Sequence, residues 1–278
     1  MSHLALLGGG RMGEALLRGL LAGGWAPESL TVAEVDPTRR EALATAHPGI
    51  GVVPSPAWAV AGAEVVVVAV KPSHVVDALA QAEPHLEPEA LVVSIAAGIT
   101  VATLEAAAPG RPVVRAMPNL PAVVGRGATA IAGGAAATAA HLDRATEILS
   151  RVGVVVRVPE SDLDAVTALS GSGPAYVFLV AEALIEAGVL AGLAQDDAEI
   201  LVRQTLLGSA ALLAEGDTVE HELRATVTSP GGTTEAGIEV LERAGLRAVI
   251  RDAVQAATER SRELGAAPGP DHPSRPPG

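Results

Sequence analysis

The residues Gly8-Gly9-Gly10-Arg11-Met12-Gly13 match G-x-G-x-x-G, a spacing that suits a dinucleotide phosphate. Gly8 permits a tight turn, Gly10 lets the main chain approach a pyrophosphate, and Gly13 lets a helix pack closely on a strand. Arg11 and Met12 fill the variable positions of the same turn. An apolar run precedes the motif and helical spacing follows it, so the diphosphate would meet unpaired N–H groups at a helix N-terminus. Glu34 lies about 20 residues on, where an acid bonds the adenosine ribose. A carboxylate there favours NAD and repels a 2′-phosphate. Arg39 and Arg40 follow and could bind that phosphate, or could form a solvated helix face. The choice between NADH and NADPH stays open at this point.

A second constellation, Ser229-Pro-Gly-Gly-Thr-Thr234, runs into a helix start. Its N–H groups and hydroxyls make a neutral nest for a small carboxylate. The same residues also read as an ordinary cap, with Thr233 or Thr234 as N-cap. Lys71 is the only lysine among 19 basic residues, which marks either a position where a compact ammonium is wanted or a residue left over by chance. Tyr176 is the only tyrosine, and a structural hydrogen bond is its expected job. The seven histidines show no metal-ligand spacing, and no metal is expected.

Composition narrows the chemistry. There is no cysteine, which excludes disulfides, thiolate metal sites and cysteine nucleophiles. The net charge of −13 argues against nucleic acid as a partner. No apolar run approaches membrane-spanning length and no signal peptide is evident, so no membrane association and a cytoplasmic location are the expectations. Aromatic residues are almost absent, so Ala, Val, Leu and Ile must fill the core.

The elements that must hold these groups alternate at first. Strands are expected at His3–Leu7, Leu30–Ala33, Ile50–Val53, Val65–Val70, Leu91–Ser94, Val113–Ala116 and Val154–Val158. Helices are expected at Gly13–Ala22 and from Pro37 on. This alternation predicts a doubly wound, mostly parallel sheet. Beyond Pro159 only helices are expected. One runs from Pro174 to Ala187 and is closed by Gly188. The next follows an Asp196-x-x-Glu199 capping box and ends near Gly216. Three more cover Val219–Val227, Thr234–Ala244 and Leu246–Leu264. Their apolar surface suggests an oligomer interface. The predicted division is a dinucleotide domain over 1–158, a helical domain over 159–265 and a disordered tail over 266–278.

Four further segments join the Ser229–Thr234 loop in order: Val68-Ala-Val-Lys71-Pro72, Val93-Ser-Ile-Ala-Ala-Gly98, Arg115-Ala-Met-Pro118-Asn119-Leu-Pro121 and Ala168-Leu-Ser-Gly-Ser-Gly-Pro-Ala-Tyr176. Together they resemble pyrroline-5-carboxylate reductase over roughly residues 3–264. The resemblance implies a Rossmann domain followed by an all-α dimerisation domain. It also implies reduction of Δ1-pyrroline-5-carboxylate to L-proline by NADPH or NADH. Gly8, Gly10, Arg11, Met12, Gly13, Glu34, Ala69, Val70, Lys71, Pro72, Ala96 and Ala97 would then meet the cofactor. Ser229, Gly231, Gly232, Thr233 and Thr234 would bind the substrate, with Thr234 also reaching the ring nitrogen as the catalytic residue. Arg115 and Asn119 would lie near the nicotinamide. Each site would be shared across a homodimer, with rings of dimers left open. Many such reductases carry a polar residue where this chain has Pro56, beside Ser55.

Two other classes remain in view. A β-hydroxyacid dehydrogenase needs a catalytic lysine in its second domain, and this chain has none beyond position 71. A dinucleotide-binding sensor would have no need of the substrate loop.

Overall fold

The computed structural model describes residues 3–216 and 218–266. The predicted disordered tail therefore lies almost wholly outside the described residues. The described residues form two compact units, 3–172 with 257–266, and Gly173–Ala256.

The first unit holds eight strands: β1 (Leu4–Leu7), β2 (Leu30–Ala33), β3 (Gly51–Val53), β4 (Val65–Val68), β5 (Leu91–Ser94), β6 (Val113–Met117), β7 (Gly127–Gly133) and β8 (Gly153–Arg157). They form one sheet in the order β3-β2-β1-β4-β5-β6-β7-β8. Every pairing is parallel except β6 with β7. Helices α1 (Arg11–Ala22), α2 (Pro37–Ala46), α3 (Pro56–Ala59), α4 (Val75–Ala82), α5 (Val101–Ala107), α6 (Ala139–Leu149) and α7 (Leu163–Val166) complete most of this unit.

Alternation along the strands builds two cores. Leu4, Leu6, Val65 and Val67 pack with Leu16, Leu20 and Ile148. Ala5, Leu7, Val66 and Val68 pack with Leu79 and Leu104. Strands buried on both faces need continuous apolar runs, and Val65–Val68 is one.

Two local differences from the sequence reading have physical causes. The fourth strand ends at Val68 rather than Val70, because the main chain turns there toward Lys71, which caps a short 3-10 turn. The seventh strand was not anticipated: Gly-Ala-Thr-Ala-Ile-Ala-Gly has little β-branched character, and pairing on both sides makes it a strand. Gly153 stands at φ +150°, and a Cβ there would collide with the Gly127 carbonyl of the neighbouring strand.

The second unit holds α8 (Gly173–Leu190), α9 (Gln195–Glu215), α10 (Glu220–Thr226), α11 (Thr233–Arg243) and the start of α12 (Leu246–Ala266). The eighth helix runs past Gly188 to Leu190. Gly188 lies inside the helix, where a Cβ would make ordinary contacts with Ala198 and Leu193 at 3.4 and 3.5 Å. The positive φ that turns the chain is at Gly192, +103°. The expected Asp196 capping box does not form: Ala194 is the N-cap, without a side-chain bond. Glu199 bonds Gln195 and Arg203 instead.

Within Glu160–Leu190 one stretch is long and apolar enough to cross a membrane by length and composition, contrary to expectation. It is broken by a 3-10 turn at Glu160–Asp162 and a π turn at Thr167–Gly171, and it carries Glu160, Asp162, Asp164, Glu182 and Glu186. Val177, Phe178, Leu179, Val180 and Leu184 are exposed within its α8 portion.

Two tests follow from the packing. Gly153→Ala should lower the denaturation midpoint by the equivalent of about 2–4 kcal/mol, since it adds both strain and a backbone collision; an unchanged midpoint would contradict the close β7–β8 approach. The second concerns Glu14 on the first helix, which pairs with Arg39 and lies 3.2 Å from His47 Nε2. The Arg39 guanidinium, with His47, holds the Glu14 carboxyl below its ordinary value of 4.5, against partial burial that pushes it up. A depressed folded-state value means that this contribution is fully present above about pH 4.5 and lost as pH falls through the folded value. Glu14→Gln should cost about 0.5–1 kcal/mol at neutral pH and nothing below that window. Equal losses at neutral and acid pH would show that the charge is not the cause.

Candidate active site

The first candidate site is a cleft of about 520 Å³ at the C-terminal edge of the first four strands. Ligands bind open α/β sheets at this edge, where the strand order reverses on either side of β1. Gly8, Gly10, Glu34, Ala69, Val70 and Lys71 line it, joined by Pro56, His74, Asp77 and Gln81. The last three lie on or just before the fourth helix. The sequence reading missed them because nothing local distinguishes them from a solvated helix face.

The turn between β1 and α1 is as tight as the fingerprint predicts. Gly8 has φ +110°, and a Cβ there would come within 2.8 Å of the Ala69 carbonyl. A Cβ at Gly13 would collide with the Gly8 carbonyl, whereas one at Gly10 would meet nothing within 4 Å. Open space at Gly10, at the N-cap of a 12-residue helix, is what an incoming diphosphate requires. Gly9 is constrained too, since a Cβ there would collide with Leu43 and approach Glu34 Oε2 at 3.2 Å.

Glu34 is held by two main-chain donors. Gly9 N–H donates to Oε2 and Asp36 N–H to Oε1, each at 3.0 Å. Arg39 Nε donates to the Gly9 carbonyl at 2.8 Å, and Arg40 Nη1 donates to the carbonyls of Glu34 and Val35 at 2.9 and 2.8 Å. Both arginines therefore carry main-chain bonds rather than forming a bare solvated face.

The remaining expected cofactor residues stand outside the cleft lining. Arg11 is exposed in the first turn of α1, and Met12 packs against the core. Gly13 acts through packing. Pro72 opens the 3-10 turn after Lys71. Ala96 and Ala97 follow the fifth strand, which pairs with the fourth through Val68 and Ser94, so they share its edge.

Arg115 and Asn119 hold structure together. Arg115 is 7% exposed, and its Nη1 donates to Glu160 Oε1 at 3.0 Å. That same oxygen accepts Val101 N–H at 2.7 Å, at the start of α5. Asn119 Nδ2 donates to the Ser170 carbonyl at 3.0 Å, and its Oδ1 accepts Ala128 N–H at 2.8 Å. The structural hydrogen bond expected of the Tyr176 hydroxyl is not made among the described residues. His141 caps the sixth helix with Thr138.

The second candidate site is the Ser229–Thr234 loop, within the other unit. The N-cap of α11 is Gly232, not either threonine, and it makes no side-chain cap bond. Thr233 and Thr234 fall in the first turn, and no bond engages their hydroxyls or that of Ser229 among the described residues. Gly231 has φ +71° and its N–H donates to Glu235 Oε2 at 2.6 Å. Gly232 N–H donates to the Ser229 carbonyl at 3.0 Å. The two glycines thus shape the loop, and their N–H groups are already paired. The N–H groups of the first helical turn, which have no partner inside the helix, are the donors that remain. A Cβ at Gly232 would lie 2.5 Å from Ser229 Oγ, so only glycine leaves that hydroxyl its place.

These features have counterparts in known proteins. The family described as pyrroline-5-carboxylate reductase dimerisation matches residues 160–264, and NADP oxidoreductase, coenzyme F420-dependent, matches residues 3–98. A pyrroline-5-carboxylate reductase of Mycobacterium tuberculosis is 46% identical over 95% of this chain and 97% of its own. The solved reductase of Coxiella burnetii superposes with a TM-score of 0.92 at 36% identity, covering 96% of this chain and 99% of that one. That of Plasmodium falciparum, with NADP bound, gives 0.82 at 30% identity, covering 95% and 98%. With similarity running through both units at this level, the chain belongs to the pyrroline-5-carboxylate reductase family.

Proposed function

We infer that the chain is an NAD(P)H-dependent oxidoreductase that reduces Δ1-pyrroline-5-carboxylate to L-proline, the last step of proline biosynthesis. The observation that carries the reading is the Ser229–Thr234 loop. Three hydroxyls without hydrogen-bond partners among the described residues sit at the N-terminus of an 11-residue helix whose cap uses none of them. A plain helix start would turn such groups to capping.

The substrate presents a carboxylate and a cyclic C=N bond. The first-turn N–H groups of α11, with the positive end of its dipole, suit the carboxylate without a cationic side chain. The Ser229 and Thr233 hydroxyls add donors, and Thr234 Oγ1 is assigned to the ring nitrogen. The Gly8–Lys71 cleft would hold the dinucleotide, whose reduced nicotinamide would supply a hydride for the imine carbon. A protonated imine accepts hydride readily, so the chain's task is to fix position and exclude competing geometries. Lys71 at the cleft mouth and the backbone of Ala69–Pro72, Ala96 and Ala97 are assigned to the ribose and nicotinamide end.

The dinucleotide cleft and the substrate loop belong to different compact units. The helical unit carries the dimerisation family's sequence, and the chain oligomerises through it. Its exposed Val, Leu and Phe side chains on α8 and α9 are the surface offered. We assign the completed site to two copies, the cleft from one and the loop from the other, with rings of such dimers as the larger assembly.

The direct test follows the nicotinamide absorbance with NADH or NADPH and pyrroline-5-carboxylate, and identifies the product. Cofactor oxidation in step with proline formation is expected; no oxidation of either by a folded, oligomeric sample would overturn the reading. Thr234→Ala should lower kcat/KM about ten- to hundredfold, the worth of a hydrogen bond to a charged group. Cofactor affinity should stay as it was. Wild-type kinetics would remove Thr234 from the site.

A further inference from the structure

We propose that this chain prefers NADH to NADPH and that Glu34 sets the preference. The proposal rests on the dinucleotide reading of the Gly8–Lys71 cleft and goes beyond it, since that reading serves either cofactor.

Glu34 lines the cleft at the end of β2, where the adenosine ribose of a dinucleotide lies. An acid in this place is only suggestive by itself, because a flexible glutamate can turn away from a 2′-phosphate. This one is fixed at both oxygens, by Gly9 N–H and Asp36 N–H at 3.0 Å each. Turning away would strip an acceptor from the phosphate turn itself. The contact is also built into the turn: a Cβ at residue 9 would come within 3.2 Å of Oε2. Each carboxylate oxygen keeps capacity to accept a further bond, which matches the paired hydroxyls of an unsubstituted ribose. A 2′-phosphate brings about −1.5 to −2 charges to the same place, and like charges at that range repel strongly.

The two arginines nearest in sequence that could offset this repulsion already have partners. Arg39 is bound to the Gly9 carbonyl and to Glu14. Arg40 is bound to the carbonyls of Glu34 and Val35. Neither side chain lines the cleft, whereas a second carboxylate, Asp77, does. Lys71 lines it from the end of β4, on the far side of β1 from Glu34. Two strand spacings, about 10 Å, separate those positions.

The test is direct binding to the full-length oligomer, without substrate, by calorimetry or nicotinamide fluorescence. The wild-type chain should bind NADH at least tenfold more tightly than NADPH. Raising the salt concentration should narrow the ratio, because it screens a repulsion. Glu34→Gln should narrow it at least fivefold, chiefly through tighter NADPH binding. Equal or tighter binding of NADPH by the wild type overturns the preference while leaving the dinucleotide reading intact. An unchanged ratio in a folded Glu34→Gln variant overturns the role of Glu34. Binding of neither cofactor overturns the dinucleotide reading, and this proposal with it.

Discussion

The approach of the Gly8–Gly13 turn to the main chain at Ala69 is the contact on which the cleft depends. Gly8 takes a conformation that other residues rarely adopt, and a Cβ there would crowd the Ala69 carbonyl just past the end of β4. Gly13 then lets the first helix start directly above the turn. Parallel pairing of β1 with β2 on one side and β4 on the other brings Glu34 and Lys71 to the same edge. The carboxylate of Glu34 closes the arrangement by bonding the turn. The two groups proposed to meet the ribose and the diphosphate therefore share one piece of backbone, joined by the Gly9 N–H bond to Glu34.

The helical unit obeys a different constraint. Its long helices are rich in Ala, Leu and Val, and many of those side chains are exposed in the single chain. Apolar surface of that kind calls for a partner, and the dimerisation family to which this segment belongs supplies one, a second copy. The loop proposed to take the substrate stands at the start of a helix in this unit, so the proposal places substrate binding in the unit that carries the dimerisation family's sequence. A chain that failed to oligomerise would keep its dinucleotide cleft and lose the covered face.

The sheet was largely legible because Val65–Val68 and Leu91–Ser94 are apolar runs with β-branched residues, and the glycine fingerprint located the cleft from spacing alone. The seventh strand was not, since its small residues become a strand only through pairing. Gly188 misled for a related reason: a glycine inside a helix looks the same in sequence as one that ends it, and the positive φ falls at Gly192. At the site, the residue types were readable but their engagements were not. Arg39 and Arg40 sit six residues or fewer from Glu34, yet their partners include the Gly9 carbonyl 30 residues away. Only the fold reveals that they are committed to backbone. The substrate loop shows the same limit. The hydroxyls were visible in the sequence, while the pairing of Gly231 N–H with Glu235 and of Gly232 N–H with Ser229 required coordinates.

On the proposed sharing, a complete site needs the cleft of one copy and the loop of another. Mixing two damaged chains tests it most directly: Gly10→Asp, whose new side chain enters open space where the diphosphate should lie, and Thr234→Ala. With a shared site, a mixed dimer joins one intact cleft to one intact loop. Random exchange should then restore roughly a quarter of the sites, one of two in half of the dimers, well above either variant alone. No recovery, with mixed dimers verified, would mean that each chain builds its site from its own two units.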